Sequence, residues 1–199
     1  SLQLAMGYTG LINLGHIAFF GIGAYTSALL SMQGVPFVLS ILLAGITSAI
    51  FGYLISIPTN KLKGDYLALA TMGFSFLTYA ILLNWTELTN GPLGLSSIPN
   101  VNILGYQITS NLEYSVLITI IAVISYLIIH RICTSPFGKV LQAVRDDDLG
   151  AQTLGKNTST IKSKSLAVSA FFAAISGSIY AHYISFIDPT SFHFIQIIP

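Results

Sequence analysis

The sequence predicts an all-α integral membrane protein, a polytopic helical bundle, and three observations carry that prediction. Of the 199 residues only 8% are charged while 53% are hydrophobic, whereas a soluble domain carries about 25% charged residues. Mean hydropathy is +0.76. The apolar residues fall in five runs that are continuous rather than alternating, so helices, not a closed barrel, must satisfy the backbone in lipid.

A hydrocarbon core of about 30 Å takes roughly 20 apolar residues at 1.5 Å each. Five runs meet or approach that length, giving about five spans: Ile17 to Val35, Pro36 to Ile57, Tyr66 to Leu83, Tyr114 to His130 and Ser165 to Ile187. The first is reached through MGYTGLINLGHIAFFGIGAY, with Gly7, Gly10, Gly15, Gly21 and Gly23, each of which weakens a helix by about 1 kcal/mol relative to alanine. A discontinuous or re-entrant element is expected there, of the kind that lines cavities in transporters. Asn13 and His16 are therefore candidate translocation-pathway residues; the blander alternative is that both are satisfied inside the bundle or face water at its border. In the second run Ala44, Ser48, Gly52 and Ser56 form a stripe of small residues that lets another helix approach closely. The third run follows Gly64 and Asp65, whose carboxylate suits a helix N-terminus. The fifth carries a longer stripe, Ser165, Ser169, Ala173, Gly177, Ala181 and Ser185, and its His182 reads equally as a core histidine or a gate residue.

All eight basic residues lie in two loops that an alternating path puts on one side: Lys61 and Lys63, then Arg131, Lys139, Arg145, Lys156, Lys162 and Lys164. The positive-inside rule makes that side cytoplasmic. The segments around Gln33 and from Asn84 to Glu113 carry no Lys or Arg, as outer loops should. Neither Asn84 nor Asn157 reads as a glycosylation site, the first hugging a helix end and the second lying inside. No span has a charged residue at its centre, which argues against a pump built on buried carboxylates. The chain starts at Ser1 and stops at Pro199 directly after FIQII, so it reads as a single transmembrane domain over 1–199, cut at both ends from a longer protein.

Nine of the 15 charged residues lie between Arg131 and Lys164. Ser135 and Pro136 mark a helix start, a hydroxyl to cap an orphan N–H followed by proline at the first helical position. Phe137, Val140, Leu141 and Val144 recur at i, i+3, i+4 and i+7, with Lys139, Gln142 and Arg145 opposite, so a short amphipathic helix is expected. Asp146, Asp147 and Asp148 suit capping and docking; three consecutive carboxylates cannot all point to one metal ion. No phosphate-binding loop spacing occurs anywhere. Lone Cys133 excludes an internal disulfide or cysteine-based metal cluster, and a net charge of +1 without a free-standing basic patch gives no reason to expect nucleic acid.

Five segments in series, GLINLGHIAFFGIGAY, LKGDYLALATMGFSF, LLNWTELTNGPLGLSSIP, SPFGKVLQAVRDDDLGAQTLGKN and SAFFAAISGSIYAHYISFIDPTSF, closely resemble the permease subunits of branched-chain amino acid ABC importers. The likeness covers nearly the whole chain. It implies that 134–164 is the cytoplasmic loop containing the coupling helix, which docks into a groove on an ATPase subunit. Its ATPase-coupling residues would be Pro136, Phe137, Gly138, Val140, Leu141, Val144, Arg145, Asp146, Asp147, Asp148 and Gly155. Phe137, Val140, Leu141 and Val144 would anchor one face. Arg145 and the three aspartates would supply polar contacts and cap a second short helix, Leu149 to Leu154, which Gly155 terminates. Gly150, Gln152, Thr153 and Lys156 depart from the family pattern. The resemblance further implies a multi-pass permease of the plasma or inner membrane that is no enzyme and needs no cofactor or metal. It would import leucine, isoleucine or valine, partnered by a second homologous permease, ABC ATPase subunits, an extracytoplasmic amino-acid-binding protein and membrane lipid. The alternatives are a related ABC permease for urea, amides or sugars, or an ion-coupled secondary carrier without an ATPase.

Overall fold

The computed structural model of the chain describes residues 2–3, 7–10, 13–60, 62, 65–103, 106–108 and 110–192. The helices are α1 (His16–Met32), α2 (Phe37–Thr59), α3 (Asp65–Asn84), α4 (Thr86–Thr89), α5 (Asn111–Thr134), α6 (Pro136–Asp146), α7 (Asp148–Thr153) and α8 (Thr158–Ile184). Each of the five apolar runs lies on a helix, and Phe37–Thr59, Tyr66–Asn84, Asn111–Thr134 and Thr158–Ile184 are long and apolar enough to cross a membrane. The fifth, α1, has 17 residues, about 25 Å at 1.5 Å each, so among the described residues four longer apolar helices and one shorter one carry the five expected runs.

The expected discontinuity falls before His16 and not throughout the glycine-rich stretch. Gly10 has φ +66°, whereas Gly21 and Gly23 sit inside unbroken α1. Gly23 is there for close approach, because a Cβ at this position would overlap Ala174 of α8. The propensity lost at such a glycine is offset by backbone-to-backbone packing. The small stripe of α8 works the same way: Ser165, Ser169, Ala173, Gly177 and Ala181 are all buried, and a Cβ at Gly177 would overlap the Phe20 carbonyl. On α2, Gly52 faces Ala170 and Leu166, and the Ser48 hydroxyl donates to the Phe19 carbonyl at 3.4 Å. Thus α1 and α2 clasp α8, the central helix. Phe19, Leu166, Ala170 and Ala173 form the apolar core of this clasp.

α8 begins seven residues before the apolar run and ends three before it. Lys162 and Lys164, expected in the loop, ride on its first two turns, and after Ile184 the chain turns at Ser185, φ 58°. It then forms β4 (Phe186–Ile187), which pairs antiparallel with β1 (Leu95–Ser96). A second two-residue pair joins β2 (Asn102–Ile103) to β3 (Tyr106–Gln107). These pairs shape the side opposite the basic loops. α5 stands apart, with Tyr114 as its buried residue; the Tyr114 hydroxyl donates to the His182 carbonyl and accepts from Val101 N–H, each at 3.3 Å. Lys61, Lys63, Gly64, Leu11, Ile12 and the side chain of Asp65, whose capping role was expected, lie outside the described residues.

Candidate functional site

The turn from α5 into the charged loop is compact. The Ser135 hydroxyl accepts from Gly138 N–H at 3.4 Å and donates to the Ile132 carbonyl at 2.6 Å, with Pro136 at the first position of α6. A Cβ at Gly138 would overlap the Cys133 carbonyl, so glycine is what allows α6 to fold back this closely. Cys133 itself lies beside Tyr8.

α6 is amphipathic as its spacing predicts, and the apolar face points into the chain's own bundle. Leu141 is 0% and Val144 2% exposed, Phe137 and Val140 are half-buried, and Lys139, Gln142, Ala143 and Arg145 face out. α6 packs against α5, α7 and α8. Leu141 and Val144 therefore hold α6 to the bundle.

The three aspartates diverge. Asp146 pairs with Arg145 at 3.0 Å, an exposed pair worth about 0–1 kcal/mol. Asp147 accepts from Gly150 N–H at 2.9 Å and so caps α7. Asp148 meets Lys162 of α8 at 2.9 Å. Burial pushes the Asp148 carboxyl up, but the hydrogen bond and charge of Lys162, with the polar Thr158 and Gln152 side chains beside it, outweigh that, holding the group below its ordinary value. At the far end of α7, Gly155 has φ +74°, Gly155 N–H donates to Gln152 O at 2.9 Å and Lys156 N–H to Ala151 O at 3.1 Å. This is the 6→1 and 5→2 pattern of a glycine-terminated helix, placing the stop where the sequence put it. Among the described residues no three His, Cys, Asp or Glu side chains converge to hold a metal ion.

Two further ties fasten the loop. Arg145 Nη1 donates to the Gly7 carbonyl at 2.6 Å, joining α6 to the lead-in of α1. Asn60, closing α2, donates through Nδ2 to Ser159 Oγ at 3.0 Å and Ser163 Oγ at 2.7 Å. The broken backbone before α1 is satisfied by α3: Leu14 N–H donates to Thr71 Oγ1 at 3.0 Å and Ser75 Oγ donates to the Leu14 carbonyl at 3.1 Å. Gly15 N–H donates to Asn13 Oδ1 at 2.9 Å. Irregular backbone at a membrane border is tolerated where protein buries it. Asn13 is 4% exposed and lines a cavity of about 10 Å³ with Ser56, Thr59, Asn60, Leu67, Thr71 and Leu166, too small for a solute. His16, half-buried at the first position of α1, does not line that cavity.

One feature was not legible in the sequence. Leu149, in the short α7, and Leu154, directly after it, are 66% and 81% exposed on the same side as the basic residues and beyond the spans. On the opposite side, His182 is buried, its Nδ1 2.8 Å from the Ser178 carbonyl and Nε2 2.9 Å from Ser31 Oγ. The carbonyl can only accept, so Nδ1 carries a proton. Ser31 continues to Ser40 Oγ at 3.2 Å, so α8, α1 and α2 are joined beneath a cavity of about 480 Å³ lined also by Phe37, Pro99, Asn100 and Asn102.

Residues 1–199 match the family model described as "Branched-chain amino acid transport system / permease component". The chain is 33% identical over 219 residues to the high-affinity branched-chain amino acid transport system permease protein LivM of Salmonella typhimurium, covering 98% of this chain and 52% of that one. LivM of Escherichia coli gives the same identity and the same coverage, 33%, 98% and 52%. A more distant likeness, 24% over 193 residues, covers 87% of this chain and 59% of the guanosine ABC transporter permease protein NupQ of Bacillus subtilis. The chain thus spans about half the length of the LivM relatives. No solved structure matches it.

Proposed function

This chain belongs to the family of branched-chain amino acid transport system permease components, and from that membership we propose that it is the translocation subunit of an ATP-driven importer for leucine, isoleucine or valine. The membrane is the plasma or inner membrane, and the basic loops face the cytoplasm. A homologous permease completes the path, a binding protein delivers solute to the outer loops, and ATPase subunits dock on α6 and α7.

The observation that carries this reading is the two-sided character of the charged loop. Leu141 and Val144 are sealed into the bundle while Leu149 and Leu154 project. Apolar side chains exposed beyond the spans are what a docking partner covers. The contact set is accordingly Lys139, Gln142, Arg145, Asp146, Leu149 and Leu154, while Phe137, Val140, Leu141 and Val144 transmit the partner's motion inward. Such a loop moves as a rigid body only if both faces are held.

The test is co-purification of the ATPase with the full-length protein, paired with leucine uptake. Leu149→Glu together with Leu154→Glu should release the ATPase and abolish uptake while the permease still inserts at normal levels. Undiminished co-purification and uptake in that variant would remove the docking assignment. Uptake of guanosine in preference to leucine by the wild type would move the substrate toward that of the Bacillus relative, whose name carries guanosine.

A further inference from the structure

The cavity at the broken lead-in of α1 has polar chemistry that the packing leaves incomplete. The Asn13 amide is held in one orientation, because Oδ1 accepts from Gly15 N–H at 2.9 Å, and turning it would set two donors against each other. Nδ2 is then a buried donor with no partner among the described protein atoms. Leaving such a group unmatched costs about 1–3 kcal/mol. Facing the same cavity, the Ser56 hydroxyl donates to the Tyr53 carbonyl at 2.5 Å and the Thr59 hydroxyl to the Ile55 carbonyl at 2.8 Å. Each has spent its one proton and keeps its lone pairs. Thr71 Oγ1 is used more fully, donating to Ala68 O and accepting from Leu14 N–H, both at 3.0 Å.

The ligand that completes this set must accept one hydrogen bond from Asn13 and donate to hydroxyl oxygens. A bare cation cannot accept from Nδ2, and an anion cannot donate to Ser56 and Thr59. The volume, about 10 Å³, is about one probe sphere, the minimum for a water. We propose that Asn13, Ser56 and Thr59 bind a single buried water molecule that moors the broken lead-in of α1 to α2. Leu14 is already fixed to α3 through Thr71 and Ser75, so the water adds the connection to α2. Gly7 and Gly10, just upstream, contact Arg145 of α6, so the mooring also steadies the segment on which the charged loop leans. This inference does not depend on the transported solute or on any partner.

The first measurement is a structure of the full-length protein in lipid at about 2 Å. Density at hydrogen-bonding distance from Asn13 Nδ2, about 2.7–3.2 Å, supports the site; a dry cavity, or an amide turned so that Nδ2 bonds directly to protein, overturns it. The second is thermal unfolding of Thr59→Val against Thr47→Val. Both remove a hydroxyl from α2 that bonds its own helix, Thr47 to Ala44 O at 3.0 Å and Thr59 to Ile55 O at 2.8 Å, and Thr47 does not line the cavity. Loss of a water ligand should place the Thr59→Val midpoint roughly 2–4 °C below that of Thr47→Val. Equal midpoints, or a more stable Thr59→Val, would reject the water.

Discussion

A single methyl group at Gly177 would have to share space with the Phe20 carbonyl. Gly177→Ala should therefore destabilise the protein by about 1–3 kcal/mol, as overpacking does, measured by thermal unfolding in lipid. Gly73, on α3, has nothing within 4 Å of where its Cβ would stand, so Gly73→Ala should raise stability by about 0.4–1 kcal/mol. The same substitution in two spans thus has opposite signs. Asp148 makes a pH prediction. Its carboxyl titrates below the unfolded value of 3.8, so its contribution is present above about pH 4 and is lost as pH falls through the folded pKa. Asp148→Asn should accordingly be less stable than wild type at neutral pH, by about 1 kcal/mol. The difference should vanish under acid conditions, where both carry a neutral side chain.

The helices were legible in the sequence to different degrees, for reasons that differ by element. Hydropathy located five apolar runs because it measures compatibility with lipid, and it misplaced the start of α8 for the same reason. Thr158 to Lys164 is helical because Asn157 caps it, accepting from Thr160 N–H at 3.1 Å, and because Lys162 finds Asp148. Neither of those is an apolar signal. The amphipathic α6 and the stop at Gly155 were readable, since spacing and a left-handed glycine are local. Which side of α6 faces the bundle was not, because that depends on how tightly the Ser135 turn folds back. Two-residue strands such as β1 and β4 are too short for any period to register. Glycine's role at the end of α7 makes a further prediction: Gly155→Ala, at φ +74°, should cost about 1 kcal/mol. Limited proteolysis should then cut first between Leu154 and Asn157.

Across the whole molecule, α5 is attached to the rest of the bundle through few groups, the Tyr114 hydroxyl among them. Tyr114→Phe keeps the ring against Tyr183, 5.6 Å between centroids, and removes the bonds to Val101 and His182. Stability should fall by about 1–2 kcal/mol, and hydrogen exchange at the Val101 amide should accelerate while amides within α8 stay protected. The spacing of ties along α8 has a mechanical consequence. Lys162 fastens the helix to α7 near one end and His182 fastens it to Ser31 near the other, 20 residues or about 30 Å apart at 1.5 Å each. That makes α8 a lever arm: a tilt of about 10° pivoting at Lys162 would carry His182 through about 5 Å. A hydrogen bond of 2.9 Å does not stretch so far. Either α1 and α2 swing with α8 as one piece, or the His182–Ser31 clasp lets go and the mouth of the cavity that these two residues line changes shape.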